Sequence, residues 1–170
     1  MSARISTRTP GLTLRFADTA DAELILALVR ELAEYERLSH EVVADATTLR
    51  EALFGDRPAA QVVMAEYEGQ SAGFALFFTN FSTFLGQSGI YLEDLFVRPA
   101  FRRKGIGHVL LAYLASLAAE RGHGRLEWAV LDWNEPAIRF YQQLGAKPMD
   151  EWTVFRVTGP AIAALADKFR

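Results

Sequence analysis

The run Ile90-Tyr91-Leu92-Glu93-Asp94-Leu95-Phe96-Val97 is rich in strand-forming residues and leads through Arg98-Pro99 into Arg102-Arg103-Lys104-Gly105-Ile106-Gly107-His108. Pro99 ends the strand, and beyond the glycines Val109, Leu110, Tyr113, Leu114, Leu117 and Ala118 recur at helical steps until Gly122. A strand therefore has to pass through a basic glycine turn directly into a helix. Gly105 and Gly107 allow a ligand close to the backbone, the first helical turn carries N–H groups without partners, and the helix dipole favours negative charge there. Arg102, Arg103 and Lys104 add cations, which gives the turn the chemistry of a pyrophosphate cradle.

Two familiar phosphate loops do not fit. A Walker loop needs Lys-Ser/Thr after its last glycine, but here Lys104 precedes Gly105 and His108 stands where a hydroxyl is needed. A dinucleotide fingerprint needs a third glycine where Leu110 stands.

The rest of the chain alternates helices with strands and hairpins. Residues 12–16 read as a strand followed by an Asp18-Thr19 cap, and Leu24, Ile25, Leu28, Leu32 and Tyr35 form one stripe of a helix over about 20–37. A weaker helix is expected over 47–54, a hairpin from strands 61–67 and 71–78, and a loop over 80–89. A buried strand is expected over 126–131, a helix over 134–144 capped by Asn134, a closing strand over 152–157, and a last helix over 159–168. This pattern is α/β or α+β with a mixed sheet. Residues 1–11 read as a flexible leader and 12–170 as a single domain.

Composition removes several function classes. A formal net charge of -3 gives no basic excess for nucleic acid, and the absence of cysteine excludes thiol nucleophiles and zinc thiolate sites. No apolar run approaches the roughly 20 residues that cross a bilayer, and residues 1–11 lack the apolar stretch of a signal peptide, so a cytoplasmic location is expected. His40, His108 and His123 lack metal-ligand spacing, and no metal is expected. Trp128, Trp133 and Trp152 read as core or interface residues.

The Arg-x-x-Gly-x-Gly turn after a strand resembles the pyrophosphate loop of the GCN5-related N-acetyltransferases. Tyr91-Leu92-Glu93-Asp94-Leu95-Phe96-Val97, Trp133-Asn134-Glu135-Pro136-Ala137-Ile138 and Phe140-Tyr141-Gln142-Gln143-Leu144-Gly145-Ala146 are similar to the diamine branch, which acts on polyamines or thialysine, as are Glu31-Leu32-Ala33-Glu34-Tyr35-Glu36 and Phe54-Gly55. The likeness spans residues 12–165. It implies a twisted mixed sheet of about seven strands with four to five helices, in which two central parallel strands splay apart around acetyl-CoA. The backbone of Leu95, Phe96 and Val97 would bond the pantetheine arm, residues Arg102, Arg103, Lys104, Gly105, Ile106, Gly107 and His108 would hold the pyrophosphate, and Asn134, Glu135, Pro136, Ala137 and Tyr141 would add cofactor contacts. A homodimer is likewise implied by the resemblance alone.

Acetyl transfer to an amine needs a proton acceptor for the ammonium, whose pKa is about 10.4, and a donor for the departing thiolate. Adjacent strand residues point to opposite faces, so one of Glu93 and Asp94 can face the substrate. The resemblance selects Glu93, either as a binder of the cationic substrate or as a base, and leaves Asp94 as an internal hydrogen-bond acceptor. Phe140-Tyr141 alone reads as core packing; the resemblance makes Tyr141 the general acid. Tyr35 and Glu36 match substrate-contact positions, while Glu31 and Glu34 read as solvated carboxylates of a helix face. The expected acceptor is a small cationic amine. Other acceptors, a protein terminus, an amino acid or an aminoglycoside, and a non-catalytic acetyl-CoA sensor remain open alternatives.

Overall fold

The structure is a computed structural model describing residues 3–169. It divides into two compact units, Met1–Leu131 and Asp132–Arg170. The first holds a sheet of six strands in chain order: β1 (Arg4–Ser6), β2 (Leu12–Phe16), β3 (Gln61–Tyr67), β4 (Gln70–Ser82), β5 (Gln87–Val97) and β6 (Leu126–Trp128). Neighbours pair antiparallel except β5 and β6, which are parallel and connected through a helix as parallel pairing requires.

Three helices cover this sheet. Asp18 caps a short turn at Thr19–Asp21, its side chain accepting from the Ala20 N–H, and Asp21 reaches back to the Asp18 N–H. That box launches α1 (Ala22–Tyr35), whose Ile25, Leu28 and Leu32 pack with Leu53 of α2 (Ala46–Phe54) onto Val62, Met64, Phe74 and Phe96. Side chains alternate along a strand, so Val63 and Ala65 point to the other face, where α3 (Ile106–Glu120) buries Ile106, Leu110 and Leu114.

Residues 4–6 lie within the stretch expected to be a flexible leader, yet they form β1. Arg4 meets Glu66 at 3.2 Å, and Glu66 also accepts from Arg15 Nε at 2.8 Å, so the edge strand is tied by charge as well as by its ladder. Met1 and Ser2 lie outside the described residues. The expected loop over 80–89 is mostly strand, because the β4–β5 ladder runs out to Ser82 and Gln87.

The strand expected over 126–131 stops at Trp128. Its pairing with β5 covers only Ile90, Leu92 and Tyr91 between them, while β5 itself continues to Val97. On the side of β6, the edge of β5 beyond Leu92 therefore has no described strand beside it and is open.

The second unit contains α4 (Glu135–Gln143) and α5 (Pro160–Ala166). The closing strand expected over 152–157 is not formed, and among the described residues the sheet has six strands where about seven were expected. Alternation can favour an extended chain, but a strand also needs a neighbouring edge for its N–H and C=O groups. Trp152 is 70% exposed and Trp133 48%, which sets aside the core alternative for both and leaves the interface one.

Candidate active site

The turn into α3 is built around left-handed backbone. Gly105, with φ 77°, is the N-cap of α3 and supplies no side-chain cap, and Arg103 also takes a positive φ of 63°. The Arg102 N–H donates to Pro99 O, and the next backbone donor with a protein acceptor is Val109, which bonds Gly105 O at 3.0 Å. The N–H groups of residues 103–108 thus find no acceptor among the described residues, and they sit at the positive end of a helix dipole. A row of free donors next to Arg102, Arg103 and Lys104 suits a diphosphate in number and in charge. Ile106 instead is buried and anchors the turn, whereas His108 is exposed.

A β-bulge at Glu93 decides which backbone groups of β5 face the open side. Leu92 pairs with Phe77 and Asp94 with the adjacent Leu76, so Glu93 is the extra residue. Before the bulge the Ile90 N–H bonds Arg125 O, on the β6 side. After it the Arg98 N–H bonds Ala72 O, on the β4 side, and by antiparallel alternation Asp94 and Phe96 also direct their backbone groups to β4. Leu95 and Val97 are left facing the gap. The three residues expected at the pantetheine arm are therefore divided: two present hydrogen-bonding groups to the open edge, and Phe96 presents its own to β4. Gly73 is required opposite them, since a Cβ there would lie 2.2 Å from Phe96 O.

The same bulge brings carboxylates together. Glu93 is exposed, while Asp94 is half-buried beside it. Burial, with the charges of Glu93 and Glu36 added, pushes the Asp94 carboxyl up to about 6. No hydrogen bond from a described residue reaches Asp94, so the reading of it as an internal acceptor is replaced by that of a desolvated acid facing two others. Sequence reasoning passed over Asp94 because alternation alone assigns it the wrong surroundings; a bulge leaves no mark in the residue pattern. Burial also raises the Glu36 carboxyl above its usual range.

The end of α1 grips the turn at two points. Glu31 accepts from Arg98 Nη2 at 2.6 Å and from Nε at 2.9 Å, so it is a paired rather than a solvated carboxylate. The Tyr35 ring lies 4.8 Å from Arg102 Cζ, and Arg102 Nε donates to Val97 O at 3.0 Å.

The other expected residues lie in the second unit. Asn134 caps α4, its Oδ1 accepting from the Ala137 N–H at 3.4 Å, with Pro136 in the first turn and Glu135 paired to Arg139 at 2.8 Å. Tyr141 is half-buried on α4 with its ring 5.4 Å from that of Phe140. Among the described residues no group of three or more His, Asp or Glu side chains is placed to hold a metal ion.

Residues 25–146 match the model of the acetyltransferase (GNAT) family. The chain is 39% identical to thialysine N-epsilon-acetyltransferase of Bos taurus over 91% of this chain and 97% of that one. It is 34% identical to L-ornithine N5-acetyltransferase of Arabidopsis thaliana, over 89% and 86% of the two chains. Among solved structures, an integron cassette protein from the mobile metagenome of V. cholerae superposes with a TM-score of 0.77 at 26% identity, covering 92% of this chain and 98% of that one.

Proposed function

Because the chain belongs to the GNAT acetyltransferase family, in its diamine and thialysine branch, we propose that this amine N-acetyltransferase uses acetyl-CoA to acetylate a primary amine of a small cationic molecule. The observation that carries the donor is the row of free N–H groups over residues 103–108 at the α3 dipole, flanked by three cations. These groups would hold the pyrophosphate, and the gap-facing backbone of Leu95 and Val97 would take the pantetheine amides, with Asn134, Glu135, Pro136 and Ala137 adding contacts. Bound acetyl-CoA supplies an acetyl thioester open to attack by an amine in a ternary complex.

The remaining roles belong to side chains. Glu93, exposed on the bulge, binds the ammonium and receives its proton directly or through water, while Glu36 and Asp94 deepen the negative potential that attracts a cation. Tyr35 borders the same ground. Tyr141 holds a proton on its phenol oxygen, available to a departing thiolate. The names of the relatives, which act on thialysine and ornithine, support an acceptor with a free amine on a short aliphatic arm. A cytoplasmic homodimer completes the reading; no helix among the described residues is long and apolar enough to cross a membrane.

The test is thiol release from acetyl-CoA across a panel of diamines, polyamines, thialysine, ornithine, lysine and basic peptides. Turnover on short cationic amines is expected. Absence of turnover on every small amine discards the acceptor, and tight acetyl-CoA binding without any turnover makes the protein a sensor.

A further inference from the structure

The β5–α3 turn carries Arg98 before it and Arg102 within it, and α1 answers each with a residue one helical turn apart, Glu31 and Tyr35. The two arginines end up in different states. Arg98 is consumed: Glu31 takes its Nε and Nη2, and Nη1 donates to Ser71 O at 3.0 Å. Arg102 is held without being neutralised, because its Nε goes to the carbonyl of Val97 and its charge lies over the rings of Tyr35 at 4.8 Å and Phe96 at 5.8 Å. No carboxylate among the described residues pairs with it.

Val97 is where the gap-facing edge of β5 meets the loop of free N–H groups. A guanidinium fixed there keeps both terminal nitrogens for an incoming anion. An arginine has a long flexible stem, and a ring face that already orders it lowers the entropy lost when a phosphate binds.

We propose that Tyr35 is a positioning residue for the donor: its ring holds Arg102 at the Val97 carbonyl, ready for the phosphates of acetyl-CoA. The inference rests on the acetyl-CoA reading and adds to the role of Tyr35 beside the amine. It also makes the last turn of α1 a shared part, with Tyr35 serving the donor through Arg102 and Glu36 serving the acceptor beside Asp94.

The test is calorimetric titration with CoA alone, so that no amine enters. Tyr35→Leu removes the ring face and is expected to weaken CoA about fivefold, the size of a half-exposed cation–ring contact. Tyr35→Phe keeps the face and should bind within about twofold of the parent. On an Arg102→Ala background, which itself weakens CoA, Tyr35→Leu should add less than about twofold, because the two changes remove one contact. The inference is overturned if Tyr35→Leu binds CoA like the parent, if Tyr35→Phe loses as much as Tyr35→Leu, or if the full loss persists without Arg102. Should the leucine variant not fold, Tyr35→Trp retains a ring and must not weaken CoA; weaker binding in a folded Trp variant counts against the proposal. A parent protein that fails to bind CoA removes the donor reading along with this one, whereas a binding parent with an indifferent Tyr35 removes this one alone.

Discussion

The starts of α3 and α4 were both expected to touch the cofactor, and they are built on opposite plans. The start of α3 has a glycine N-cap in left-handed backbone, no side-chain cap, three basic residues ahead of it and free N–H groups over residues 103–108. The start of α4 satisfies itself: Asn134 occupies the Ala137 N–H, Pro136 removes a donor, and Glu135 places a carboxylate at the dipole. A helix start that leaves its donors free can receive an anion, and one that caps itself satisfies its own donors. The second plan suits the proposed role of α4 as the carrier of Tyr141.

The sharpest break between the two would come from their variants. Tyr141→Phe is expected to lower kcat about a hundredfold while leaving the CoA dissociation constant within twofold, in the range of general-acid contributions. Unchanged turnover would take chemistry away from α4. Gly105→Val forces a β-branched residue into a positive φ at the open start and should weaken CoA about thirtyfold by calorimetry, with kcat at saturation much less affected. Native affinity in that variant would show that the left-handed cap does not shape the cradle.

Asp94 lies on the strand that feeds the open start, and it offers a pH test. Its folded pKa of about 6 lies above the ordinary carboxyl value of 3.8, so the protonated form favours folding. That contribution is complete below about 3.8 and is lost as pH rises through 6. Asp94→Asn should therefore stabilise the protein by about 1–2 kcal/mol at pH 8 in denaturant unfolding, with the gain shrinking through pH 6 and gone near pH 4. A gain that is flat with pH would mean the carboxyl is not held under strain. The smallest effect is expected from Asn134→Ala, about 1 kcal/mol of stability from the lost cap with CoA affinity kept within twofold. A large loss of CoA binding there would show that the Asn134 side chain itself, and not only the rest of the α4 start, contacts the cofactor.

Legibility followed range. The α3 start, its basic turn and the Asn134 cap were readable because each is settled within a few residues, by backbone freedom at glycine or by a side chain reaching its own helix. Glu31 was read as solvated, and its partner Arg98 is distant in sequence. Asp94 was misread for a related reason: its surroundings depend on a bulge set by the register with β4, and on Glu36 arriving from α1. The segment over 152–157 has a strand-like pattern and no strand, because a strand is an agreement between two edges.

By itself, the sequence determined the family, the basic glycine turn into α3 and the helices that begin and end on local signals, since torsional preference and capping act within one turn of chain. Only the tertiary structure decided that Leu95 and Val97 rather than Phe96 face the gap, that Asp94 is half-buried within the field of two other acids, and that Tyr35 lies under Arg102. Each of those depends on strand register or on helix-to-loop packing, where residues far apart in the chain set one another's surroundings.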